Sequence, residues 1–164
     1  MDHLGGCTCG NIRFRVSAAP LRVTFCHCRF CQRATGAAYA VEPIFSESDF
    51  EMVTGNARTY THVSEGSGKE IDVHFCGNCG TTFRYVLYRF PGVTGLLAGT
   101  FDDPNWFDCD LDTTKHIFLS AARPETIVPA QMPLYSHHAI TNDDTAITPI
   151  EINTPMRAGD IEGI

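Results

Sequence analysis

Ile71-Asp72-Val73-His74-Phe75-Cys76-Gly77-Asn78-Cys79-Gly80 is the stretch on which the reading of this chain turns. Its first five residues alternate apolar and polar, the period of a half-buried β-strand. That strand delivers the chain to a Cys-x-x-Cys knuckle, and Thr82-Phe83-Arg84-Tyr85-Val86-Leu87-Tyr88-Arg89-Phe90 leaves it as the longest strand candidate. Working outward, two more knuckles stand earlier: Cys7-Thr8-Cys9-Gly10 and Cys26-His27-Cys28-Arg29-Phe30-Cys31. Seven of the eight cysteines therefore lie in three short segments. Glycines flank them, which lets the backbone turn tightly and bring amides near the sulfurs.

Between the knuckles the chain reads as short strands broken by turns. Ile12-Arg13-Phe14-Arg15-Val16 alternates with its arginines outward, and Val23-Thr24-Phe25 leads into the middle knuckle. Gln32–Ala37 suits a short helical turn. Tyr39–Glu42 and Phe50–Val53 suit strands, with Pro43 breaking the first. Ala57–Val63 is rich in β-branched and aromatic residues, and Glu65-Gly66-Ser67-Gly68-Lys69 is the loop of a hairpin. Pro91-Gly92 turns the chain toward Val93–Gly99, and His116–Leu119 is a last short strand. Residues 1–10 read as a polar lead into the first knuckle. Many short strands at close spacing predict an all-β domain with minor helix. We expect that domain over residues 1–138 and an irregular, surface-hugging C-terminal tail over 139–164, where periodicity fades.

The chain has 164 residues, enough for one domain with a core of its own. Mean hydropathy is −0.08, and no apolar run approaches the roughly eighteen residues of a membrane span. Met1-Asp2-His3-Leu4 has no basic flank or apolar run, so no secretory signal is expected and a cytoplasmic location follows. In a reducing compartment clustered cysteines point to metal rather than disulfides. Net charge is −7 with the cysteines neutral. Seven thiolates against the four charges of two zinc ions would make it more negative still. That balance speaks against nucleic acid as a partner.

Thiolates suit zinc, and structural zinc is four-coordinate. Seven thiols divide most simply into a closed four-thiol site and a three-thiol site with a position left for substrate. Sixteen residues separate Cys9 from Cys26, and forty-four separate Cys31 from Cys76, so a site drawing on two knuckles ties remote segments together. Spacing leaves the pairing open. Cys76 and Cys79 join either Cys7 and Cys9 or part of the middle knuckle, the first being preferred because it keeps Cys26, Cys28 and Cys31 on one ion. The competing reading has all seven structural, with His27 or another residue as an eighth ligand. Cys109 stands alone and reads as a partly buried or free thiol.

These motifs resemble those of the glutathione-dependent formaldehyde-activating enzyme (GFA) family, also called the centromere-protein-V-like domain. The resemblance is carried by Gly6–Phe14, by Cys26–Arg33 with Thr35-Gly36, and by Phe75–Gly80. Ala98-Gly99-Thr100-Phe101-Asp102-Asp103-Pro104 and His116-Ile117 match weaker later motifs. It spans about residues 5–135 and leaves the tail without a counterpart. It implies a β-tent fold around two Zn2+ per chain. Cys7, Cys9, Cys76 and Cys79 would hold a structural zinc, and Cys26, Cys28 and Cys31 a catalytic one. The activity implied is carbon–sulfur lyase chemistry, adding glutathione to formaldehyde or reversing that step.

The donor set agrees with such chemistry. Three thiolates leave Zn2+ a weak Lewis acid and a poor hydroxide generator, so a thiol is the better guest for its open position. Held there as a thiolate, it would attack a small carbonyl carbon. The expected partner is thus a small molecule, glutathione or another thiol. Two rival readings are another zinc-assisted reaction on the same scaffold and a non-enzymatic protein-binding module. A fourth protein ligand on the middle knuckle would favour the module. His27 is expected to point away from the ion held by its neighbours. Arg29, Arg33 and Lys69 are candidates for holding carboxylates of the substrate. His62, His74 and His116 read as structural, and nothing pairs His137 and His138 with the cysteines. Gly66-Ser67-Gly68-Lys69 lacks the spacing of a phosphate loop.

Overall fold

The computed structural model describes residues 2–164. Its elements in chain order are β1 (His3–Gly6), β2 (Arg13–Val16), β3 (Arg22–Cys26), α1 (Arg29–Thr35), β4 (Ala40–Ser46), β5 (Phe50–Thr54), β6 (Ala57–Val63), β7 (Glu70–Cys76), β8 (Thr82–Leu87), β9 (Val93–Leu96), β10 (Thr114–Ile117), β11 (Ile127–Val128) and β12 (Met156–Arg157). The protein is all-β with one seven-residue helix. Its chain forms two compact units, one of residues up to Arg22 with Glu42–Asp108, the other of Val23–Val41 with Cys109–Ile164.

The first unit is built from antiparallel strands. A small sheet runs β1-β2-β5, and a larger ladder runs β4-β9-β8-β7-β6. Alternation along β2 explains its place: Phe14 and Val16 are fully buried. Arg13 and Arg15 turn outward to ion-pair with Asp102 and with Asp2 and Glu51. Along β8, Phe83 and Tyr85 are buried while Arg84 pairs with Glu47. The core gathers Ile12, Phe14, Phe45, Phe83, Leu96 and Phe101, with Trp106 packed against it, and Cys7 and Cys76 belong to the same cluster.

The second unit carries a parallel pairing, β10 on β3, with His116 opposite Phe25 and Ile117 opposite Cys26. A second apolar cluster joins Leu119, Val128, Met132 and Leu134 to Ile152, Ala158 and Ile161. The segment beyond residue 138 has little regular structure. It nonetheless pairs β12 with β11 and buries Ile152, Ala158 and Ile161.

Several local expectations shift. Residues 3–6 form β1 rather than a lead; Gly5 and Gly6 hide it because they carry no side chains to alternate. The helix spans Arg29–Thr35, earlier than expected, because the Cys28 sulfur accepts the Cys31 N–H and serves as its N-cap. β4 runs through Pro43; its pairing with β9 begins at Ile44, so that ladder needs no N–H from the proline. β8 stops at Leu87, where the Phe90 N–H closes a turn on the Leu87 carbonyl.

Candidate metal centres

The first and third knuckles are built alike. Gly10 donates its N–H to the Cys7 carbonyl at 3.0 Å, and Gly80 does the same to Cys76 at 2.9 Å. The Cys7 N–H reaches the Ile12 carbonyl at 3.1 Å, and the Cys76 N–H reaches Thr81 at 2.9 Å. Both glycines have positive φ, 77° and 75°, a conformation glycine adopts without a Cβ penalty. Each turn thus presents two thiols on one side. The four sulfurs of Cys7, Cys9, Cys76 and Cys79 lie within 4.8 Å of one another, which fixes the pairing that spacing leaves open.

That cluster fits a tetrahedral ion. Cys7 and Cys9 sulfurs are 3.5 Å apart, and those of Cys9 and Cys76 are 3.7 Å apart. Four sulfurs about 2.3 Å from a tetrahedral zinc would stand about 3.8 Å from one another. Disulfide distances near 2 Å are absent, and none of the eight cysteines is joined in a disulfide. Amide and hydroxyl donors aim at the sulfurs: the Ile12 N–H at Cys7, 3.2 Å, and the Thr81 hydroxyl at Cys79, 3.2 Å. Thr81 draws the Cys79 thiol down to about 5. The Cys7 thiol is also lowered: burial opposes this, but the Ile12 N–H and the neighbouring thiols outweigh it. Such a cluster titrates as a unit.

The second unit holds the middle knuckle. Sulfurs of Cys26, Cys28 and Cys31 lie within 4.8 Å of one another, and among the described residues no other His, Cys, Asp or Glu joins that group. Cys26 closes β3, Cys28 caps α1, and Cys31 lies one turn into the helix. Cys26 and Cys31 are buried and Cys28 is half-buried. Hydrogen bonds from the Cys26 and Cys31 thiols hold Cys28 down to about 3, with the Cys31 and Phe30 amides adding to the effect. The set is a soft, anionic triangle with one thiolate already formed at neutral pH.

His27 turns away from this triangle. Its Nε2 lies 3.1 Å from Nδ1 of His116, and both rings are buried. Burial pushes each imidazole down to about 4, so both are neutral at pH 7. Gln32, which the sequence reading passed over, sends Nε2 to the carbonyls of His27 at 2.6 Å and Ala121 at 2.9 Å. Its spacing from His27, one turn across a helix start, was the available signal. Arg29 and Arg33 are exposed on α1, with Arg29 bonded to the Gln32 side-chain oxygen. Lys69 sits in the β6–β7 loop of the first unit. His74 meets the Thr59 hydroxyl across β6, and His62 lies on β6. His138 engages Ile140, and Cys109 is exposed and outside both clusters.

A sequence model of the family described as "Glutathione-dependent formaldehyde-activating enzyme" matches residues 2–121, which include all seven clustered cysteines and His116. The chain belongs to the GFA family. Within it, the chain is 30% identical over 102 residues to a protein of Halomonas elongata. That relative carries the name of a glutathione-dependent formaldehyde-activating enzyme, a name given there by inference. The match takes in 60% of this chain and 64% of the relative's length. A Rhodobacter sphaeroides protein solved by structural genomics is 24% identical and covers 60% of this chain and 87% of its own, with a TM-score of 0.49. The GFA match ends at residue 121, so of the second apolar cluster only Leu119 lies within it, and Val128, Met132, Leu134, Ile152, Ala158 and Ile161 lie beyond it.

Proposed function

We propose that this GFA-family chain is a zinc-dependent carbon–sulfur lyase-like enzyme. It joins a thiol such as glutathione to formaldehyde or a related small carbonyl, or reverses that step. One observation carries the reading: Cys26, Cys28 and Cys31 converge as three thiols with no fourth such ligand among the described residues. When bound there, zinc would supply a position at which a substrate thiol is held as its thiolate. The chain's own part is to keep the three sulfurs together, with Cys28 already ionised, and to keep the neutral His27 ring turned toward His116. In the reaction, a sulfur–carbon bond forms and the carbonyl π pair moves to oxygen. The proton lost by the thiol ends on that oxygen, so no oxidant or reductant is needed. Cys7, Cys9, Cys76 and Cys79 are assigned a structural zinc that ties β7 to the chain's first turn.

A cobalt-loaded protein titrated with glutathione tests the reading, read alongside NMR of glutathione and formaldehyde at exchange equilibrium. The expected result is a shift of the cobalt absorption with glutathione and a faster build-up of S-hydroxymethylglutathione. A spectrum indifferent to glutathione, with exchange at the uncatalysed rate, would sink it.

A further inference from the structure

We propose that His116 and Gln32 are positioning residues of the three-thiol centre, acting through His27. This rests on the reading of that knuckle as a zinc site. His27 stands between two of the three thiols, and every polar handle of its backbone is held. Its N–H donates to the Ile117 carbonyl at 3.0 Å. Its carbonyl accepts from Gln32 Nε2 at 2.6 Å, and the same nitrogen reaches the Ala121 carbonyl at 2.9 Å. The ring is held by His116 at 3.1 Å. The parallel pairing of β10 with β3 sets Ile117 opposite Cys26, so the clamp closes on the ligand segment from residues 116–121.

Stability alone does not account for this arrangement. Each ring keeps one buried nitrogen without a protein partner, Nδ1 of His27 and Nε2 of His116. An apolar pair of the same shape would fill the space without that penalty, since replacing both partners of a buried hydrogen bond is often neutral or stabilising. What the polar pair adds is direction. His116 stacks on Phe25 at 4.6 Å and His27 packs on Tyr39 at 4.8 Å, which fixes the ring planes along which their one shared bond acts. Held on three sides, His27 cannot rotate without moving Cys26 and Cys28. The thiol triangle is therefore preformed rather than gathered by the ion. Partners that orient ligands in this way typically change metal affinity by about 10–100-fold when removed.

The test is stepwise zinc removal from the loaded protein by a chelator of known affinity, with ions per chain counted at each step. Cobalt–thiolate absorption reports the geometry of the same site, and a thermal melt reports the fold. His116→Phe removes the bond and keeps the ring volume; His116→Asn returns a polar group near the place of Nδ1; Gln32→Leu leaves the imidazole pair intact. His116→Phe and Gln32→Leu are expected to release the more labile ion at about 10–100-fold lower chelator strength. They should also alter its cobalt spectrum while the second ion is retained as in wild type. His116→Asn is expected to restore affinity to within about threefold. The proposal is overturned if both apolar variants hold the labile ion like wild type, or if they loosen both ions equally. A wild-type protein that binds one ion only defeats the zinc reading of the knuckle itself, and this inference with it.

Discussion

Replacing Cys76 with serine probes the four-thiol cluster where it is most buried. Cys76 is 2% exposed, ends β7, and lies 3.7 Å from the Cys9 sulfur across 67 positions of sequence. Zinc in such a site contributes on the order of 10 kcal/mol to folding, so an equal share per thiolate is about 3 kcal/mol. The serine hydroxyl is a poorer zinc ligand and is left buried, which costs about 1–3 kcal/mol more. The sum, about 5 kcal/mol, is a large part of the 5–15 kcal/mol that holds a typical domain folded. For a chain of this size it corresponds to a fall in Tm of roughly 10–20 °C. The assay is a thermal melt followed by circular dichroism, with and without EDTA. Wild type should lose more Tm on chelation than the substitution costs, because EDTA removes the whole ion, and Cys76→Ser should lose less on chelation than wild type does. A variant melting within about 2 °C of wild type, with the same response to EDTA, would refute a folding role for this cluster.

Three further outcomes follow from the geometry. Gly5→Ala should destabilise by about 1–3 kcal/mol in urea unfolding, since its Cβ would lie 2.3 Å from Phe14 Cζ and 2.6 Å from the Thr100 carbonyl oxygen. Burial holds His27 and His116 at about 4, against 6.5 unfolded, so the unfolded chain binds more protons between those values. Stability is then full above pH 6.5 and falls as pH drops toward 4, by about 3 kcal/mol per imidazole. His116→Phe should therefore show a shallower loss between pH 6.5 and 4 than wild type in the same buffers. Deleting residues 139–164 strips Ile152, Ala158 and Ile161 from the cluster around Leu134. It should lower the Tm of the chain, and a truncated protein as stable as wild type would count against a packed role for that segment.

The legible parts of the fold were those in which one face is buried and the other wet. β2 and β7 announce themselves because Arg13-Phe14-Arg15-Val16 and Ile71-Asp72-Val73-His74-Phe75 alternate at the strand period, whereas β6 was legible from its β-branched and aromatic residues. β1 was hidden because glycine occupies its third and fourth positions, and Gly5 is there to let Phe14 approach, a long-range requirement no local pattern states. The three knuckles were legible, and so was the grouping of seven thiols as four and three. Which knuckles share a cluster depends on β7 meeting the first turn in space, and spacing alone does not encode that. His116 and Gln32 were missed as a unit because the contacts that join them to His27 cross 89 and 5 positions respectively, and only the first is long-range. The burial of Ile152 and Ile161 escaped notice because isolated apolar residues among prolines and acids carry no period.

We propose that the seven thiols hold two ions with unequal jobs. Zinc per chain, measured on wild type and on Cys28→Ser, tests it most directly when read beside the circular dichroism of both. Two ions are expected in wild type and one in Cys28→Ser, with the β-spectrum and cooperative melt retained. One ion in wild type, or a Cys28→Ser chain that unfolds as its metal leaves, would contradict it.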